Sequence, residues 1–198
     1  MSRTAEVRRG APAATMVVRL AVDGRGRASV RTGVATFDQL LETLAGHGRF
    51  DLDVEVAGAA PVDPHRVVVG IGTALGEAFA RALGPREVTR GIGDATVPAA
   101  GALVRAVCDL RGAGLLAFEA APPAWQLVGD YDVALTPEFW QAFALAARVT
   151  LHLDLLRGVT ARPITEATYA AGARALAAAA ERDPRVTGVP DGAAGDGG

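Results

Sequence analysis

The chain has 198 residues, with 20 basic against 22 acidic side chains and a formal net charge of −2. All twenty basic residues are arginine, and neither lysine nor asparagine occurs. That excludes a lysine Schiff base, covalent pyridoxal phosphate, a Walker A phosphate loop and N-glycosylation, and scattered arginines at near-neutral charge give no nucleic-acid footprint.

In chain order, the N-terminus (Met1–Arg9) is polar, with no apolar signal region. Ala5–Arg9, Thr15–Val22 and Ala28–Thr32 read as strands. Asp23-Gly24-Arg25-Gly26 predicts a hairpin between the last two. On the second of these strands Val17, Leu20 and Val22 are expected to form an apolar sheet face. Phe37, Leu40, Leu41 and Leu44 stand at helical spacing, with His47-Gly48 as a C-terminal stop. His47 there reads as a charged complement to the helix dipole. Phe50–Val56 alternates as a strand, and Pro64 opens a long helix to Leu83.

The second half repeats this order: strands at Ala102–Leu110 and Leu115–Ala121, a helix at Pro137–Ala147, a strand at Val149–Leu155 and an Ala-rich helix at Pro163–Ala180. A shift of 97 lays His65-Arg66-x-x-Val69 over Arg162-Pro163-x-x-Glu166. The expectation is one duplicated domain over residues 1–186, with half-repeats of about 1–88 and 89–186 and a mobile tail at 187–198. Cys108, the single cysteine, lies in an apolar run and reads as an inert core thiol, so no internal disulfide forms. Trp125 and Trp140, with Phe139 and Phe143, read as core or subunit contacts. No stretch approaches ~18 consecutive apolar residues, so a cytoplasmic chain without membrane or nucleic-acid partners is expected.

Several runs carry a family resemblance. Asp23-Gly24-x-Gly26, Thr32-Gly33, Asp38-Gln39-Leu40-Leu41 and His47-Gly48-x-Phe50-Asp51-Leu52 are followed by Asp63-x-His65, Ala74-Leu75-Gly76, Arg90 with Gly93, and Val97-Pro98. Asp109-Leu110, Val128-Gly129-Asp130, Glu138-Phe139, Thr150-Leu151-His152, Gly158 and Glu166-Ala167 with Tyr169 complete the series. Over about residues 3 to 186 this order resembles imidazoleglycerol-phosphate dehydratase, a hydro-lyase of the histidine pathway. The resemblance implies an α+β fold in which each duplicated half packs a sheet on helices, like the second domain of ribosomal protein S5. It also implies two manganese ions between subunits, held by His-His-x-x-Glu helices and single histidines, and trimers assembling into a 24-subunit shell.

This chain departs from that pattern. Gln39 stands for the histidine after Asp38, Arg66 and Val69 stand in the first metal helix beside His65, and Arg162 and Pro163 stand in the second beside Glu166. His152 matches, and His47, His65 and His152 are all the histidines present. At the phosphate-binding places are Arg111-Gly112-Ala113, Tyr169-Ala170 and Val189-Pro190-Asp191-Gly192. Valine, arginine and proline offer a divalent metal no lone pair at neutral pH. The resemblance, so qualified, implies a family member without its two-metal site, with no metal cofactor and the ancestral manganese lost.

The candidate catalytic residues are His65, His152 and Glu166, as acid–base groups or as vestiges. Arg66, Arg162, Gln39 and Arg90 are candidate contacts to a small-molecule substrate. The competing reading makes the arginines structural charge compensation, for example an Arg66–Glu166 pair. Asp38 and Asp63 read as helix caps or supports. Three functions remain open: a repurposed metal-independent lyase, dehydratase or isomerase, a non-catalytic scaffold or regulator, and a weakened metal enzyme. A homo-oligomer, trimer-based and up to 24 subunits, is expected in each case.

Overall fold

The computed structural model describes residues 3–11, 14–58, 63–124 and 126–186. Trp125 and the 187–198 tail fall outside that set. The first half contains strands β1 (Thr4–Ala11), β2 (Ala14–Ala21) and β3 (Ala28–Arg31), helix α1 (Ala35–Gly48), strand β4 (Asp51–Gly58) and helix α2 (Pro64–Leu83). After a single 3-10 turn at Arg86–Val88 come β5 (Ile92–Ala99), β6 (Ala102–Asp109), β7 (Leu115–Glu119), a two-stranded hairpin of β8 (Leu127–Val128) and β9 (Tyr131–Asp132), α3 (Leu135–Ala147), β10 (Thr150–Arg157) and α4 (Ala161–Ala180). The α+β architecture is the expected one.

Two four-stranded sheets have matching orders, β1-β2-β4-β3 and β5-β6-β10-β7. In each, the first three strands are antiparallel and the last pair is parallel. The Asp23–Gly24 turn therefore does not close a hairpin between β2 and β3. The hairpin is β1–β2, while β4 inserts beside β2 and takes β3 as a parallel neighbour. Asp51 pins that turn by accepting hydrogen bonds from the amides of Arg25 (2.8 Å) and Arg27 (3.0 Å).

The core face of β2 also differs from the expected one. Val18, Leu20 and Val22 join the core cluster, and Val17, one residue out of phase, points to the opposite face. β5 has no counterpart among the expected strands: its Gly93 and Pro98 blur the strand signal, and an edge strand tolerates both.

The helices form the middle layer. α2 packs on β1 and β2, α4 on β5, β6 and β10, and the pairs meet as α2 against α3 and α1 against α4. α4 buries 14 of its 20 residues, on every side, which accounts for its alanines: an enclosed helix is apolar all round. The contacts are close enough to require missing side chains. A Cβ on Gly76 would stand 2.5 Å from the Phe143 carbonyl oxygen, and one on Gly93 would stand 2.3 Å from that of Ala175.

Phe139 links three of the helices, meeting Phe37 of α1 edge-on with ring centroids 5.7 Å apart, and Trp140 of α3 and Tyr169 of α4 at 5.1 Å each. Trp140, Phe139 and Phe143 are buried as expected. So is Cys108, where burial pushes the thiol pKa up to about 12 and keeps it inert. No helix of the described residues is long and apolar enough to cross a membrane.

Gly76→Val is expected to cost about 1–3 kcal/mol through overpacking between α2 and α3. Circular-dichroism melting should show a Tm lowered by roughly 2–10 °C, whereas Gly33→Ala, with nothing within 4 Å of the new Cβ but a backbone φ of +88°, should lose stability through strain alone.

Candidate active-site crevice

α1 and α4 run side by side in the same direction, and their N-terminal turns meet in a narrow crevice closed by the β8–β9 hairpin. Thr36, Gln39, Leu40 and Thr43 line it from α1, Arg162, Thr165 and Glu166 from α4, and Val128 and Tyr131 from the hairpin. Both helix starts place partial positive charge here. At α1 that charge is already met: Val34 gives no side-chain cap, and Asp130 of the hairpin accepts from the amides of Ala35 (2.7 Å) and Thr36 (2.9 Å). The Thr36 hydroxyl and these amides hold the Asp130 carboxyl below its usual pKa. At α4, Thr160 supplies no side-chain cap, so the first turn faces the crevice with Arg162.

The structure thus brings three of the seven candidate residues together: Gln39, Arg162 and Glu166. Glu166 is half-buried and accepts from Arg162 Nε at 2.9 Å, one helical turn away. The expected Arg66–Glu166 pair does not form; Arg162 takes that carboxylate instead.

The other four residues lie elsewhere. His65 and Arg66 are exposed in the first turn of α2, where Asp63 accepts from the His65 amide at 3.1 Å and so is the cap expected of it. Asp38 instead accepts from the Thr32 amide at 2.9 Å and fixes the approach to α1. His152 points out from β10 between Val107 and Ala117 of its neighbour strands, because Leu151 and Leu153 take the inward positions. Arg90 is paired with Glu181 at 2.9 Å. Ala170 is buried on α4, and the 189–192 segment lies outside the described residues.

His47 differs from its expected role. Its Nδ1 accepts from Arg174 Nε at 3.1 Å, so it is the neutral imidazole; burial, then the Arg174 charge, lowers its pKa. The cation at that end of α1 is not His47. No local signal could have shown this, because Arg174 lies 127 residues away.

The manganese that the resemblance implies does not fit the side chains of a single protomer. Among the described residues no three His, Cys, Asp or Glu side chains gather in one place, and the donors that match the family sit on separate surfaces.

Two four-stranded sheets of matching order over a shared helical layer, with a narrow crevice where two helices start, define an α+β protein of two similar halves. The chain belongs to the imidazoleglycerol-phosphate dehydratase family, whose model matches residues 32–176. An imidazoleglycerol-phosphate dehydratase of Acidovorax sp. (strain JS42) is 43% identical over 187 residues, covering 94% of this chain and 89% of the relative. That of Gluconacetobacter diazotrophicus is 41% identical over 188 residues, covering 95% and 94%. The crystal structure of the Staphylococcus aureus enzyme superposes with a TM-score of 0.81 at 27% identity, covering 91% of this chain and 99% of that one.

These relatives overturn the expectation of a lost dehydration site, whether repurposed, non-catalytic or weakened. Identity above 40% over nearly the full length with proteins named as the dehydratase points to a working dehydratase.

Lowering the pH from 7 toward 5 should destabilise the fold at His47. Its folded pKa is depressed, so below the ordinary value the unfolded chain binds the proton more readily. Urea denaturation across this range should show wild-type stability falling with pH more steeply than in His47→Gln.

Proposed function

We propose that the chain catalyses the dehydration of imidazoleglycerol phosphate, the Gln39–Arg162–Glu166 crevice being the part of the site that one protomer supplies. The near-full-length agreement with dehydratases of that name carries this reading. Convergence of three candidate residues at two helix starts supports it.

Dehydration removes a proton from one carbon and a hydroxyl group from its neighbour, and the substrate carries a phosphate ester. Glu166 is the carboxylate that exchanges the proton. Substrate entry opens its pair with Arg162, and the freed guanidinium grips an anionic oxygen pair. Gln39 faces both from α1 and can donate or accept. His65 and His152 as acid–base groups, and Arg66 and Arg90 as cationic contacts, belong to parts of the site completed by neighbouring copies.

Assembly in this reading is a cytoplasmic homo-oligomer built from trimers toward a 24-subunit shell. Exposed Ile92, Leu115, Leu127, Leu145, Leu156 and Val159 are the apolar surface that other copies would cover. The matching sheet orders support a single duplicated domain over residues 1–186, divided near residue 88.

The test is turnover of imidazoleglycerol phosphate by the purified chain, with and without added manganese, following the keto phosphate left by water loss. Glu166→Gln should lower kcat by about 10²–10⁴. Because an exposed i,i+4 pair is worth only about 0.3–0.5 kcal/mol, Tm should move by less than about 2 °C. Absence of turnover under both conditions would refute the proposed activity, and a wild-type rate in Glu166→Gln would remove that residue's role.

A further inference from the structure

A second recess, of about 760 Å³, lies at the opposite ends of α1 and α4. It is lined by Asp23 and Gly24 of the β2–β3 turn, by His47–Arg49 at the end of α1, by Asp94–Thr96 of β5, by the last turns of α4 from Arg174, and by Glu181 and Arg182 just beyond that helix. Gln39 to His47 and Glu166 to Arg174 are each eight residues. At about 1.5 Å per residue the recess is on the order of 12 Å from the crevice along the helices, and no lining residue is shared.

Two helix C-termini end at this recess, and together they carry about one negative charge. The cations present exceed what that needs. Of the four lining arginines, Arg3 is committed to Asp23 and the Ala180 carbonyl. Of the lining carboxylates, Glu181 is taken by Arg90. Arg49, Arg174 and Arg182 remain, all exposed, against Asp94 alone. Among the described residues Arg49 and Arg182 make no side-chain hydrogen bond or ion pair, although the Arg182 charge reaches Asp23. Arg174 donates to the neutral His47 and to no carboxylate.

We propose that this recess binds a phosphorylated small molecule, with the phosphate held by Arg49, Arg174 and Arg182. A phosphate presents several anionic oxygens that more than one guanidinium fork can grip at once. A volume of about 760 Å³ leaves room for the organic part of the molecule. The recess would bind in this way whether or not the chain is a dehydratase.

Isothermal titration of the full chain with inorganic pyrophosphate tests it. The expected result is saturable binding, weakened about tenfold or more in Arg182→Gln and in Arg174→Gln, and unchanged in Arg105→Gln on β6, an exposed arginine that lines neither recess. Arg182→Gln removes no side-chain hydrogen bond, so it keeps the test decisive if Arg174→Gln, which unpairs His47, fails to fold. Absence of saturable binding overturns the proposal, as does binding that Arg182→Gln leaves intact or that Arg105→Gln weakens equally.

Discussion

Four helices have to fit between two sheets, and they do so by bringing backbone against backbone. Gly76 lets α2 reach the end of α3, and Gly93 lets β5 reach α4. Gly172 makes room for the Trp140 ring, where a Cβ would stand 2.6 Å away. These approaches set how closely α2 meets α3, and how closely α4 meets β5 and α3, so that α4, which carries Arg162 and Glu166, is held on two sides.

Parallel packing of α1 with α4 separates charge along the pair. The positive starts of both helices lie at one end, where Asp130 answers α1 and a ligand can answer α4. The negative ends lie at the other, where arginines collect. Two recesses of unlike character thus follow from one packing arrangement. The buried hydroxyls of Tyr131 and Tyr169, 3.2 Å apart, tie the hairpin to α4 between them. Burial pushes both phenols upward in pKa, Tyr131 to about 12, so they remain neutral hydrogen-bonding groups.

Local signals mark the helices well. Pro64 at the first position and the amphipathic run to Leu83 give α2 its observed limits, and the apolar spacing from Phe37 to Leu44 places α1. The stop of α1 falls one residue later than its glycine suggests, since Arg49 and not Gly48 takes the left-handed conformation; Gly48 lies against the Phe50 ring. Strand pairing is less legible: an Asp-Gly turn is a local preference, and the choice of β4 as the neighbour of β2 depends on burying one face of the whole sheet. At the candidate site, family spacing points to Gln39, Arg162 and Glu166. That they meet, while His65 and His152 stay apart, depends on how α4 lies against α1, which no short segment encodes. The substitutions at Gln39, Arg66 and Arg162 do not by themselves decide activity, because they sit within a chain that matches proteins named as the dehydratase along nearly its whole length.

The cap of α1 has a consequence for how the chain comes into being. Asp130 stands 95 residues after Ala35, whose amide it accepts, so a ribosome releases the first half before the group that finishes its first helix exists. Until the hairpin is synthesised, that helix start must be solvated by water and its lower stability tolerated. Each half contains its own sheet, yet the first half does not contain all the caps of its own helices. Completing α1 is therefore a step of docking one half on the other, a long-range contact made within a single chain.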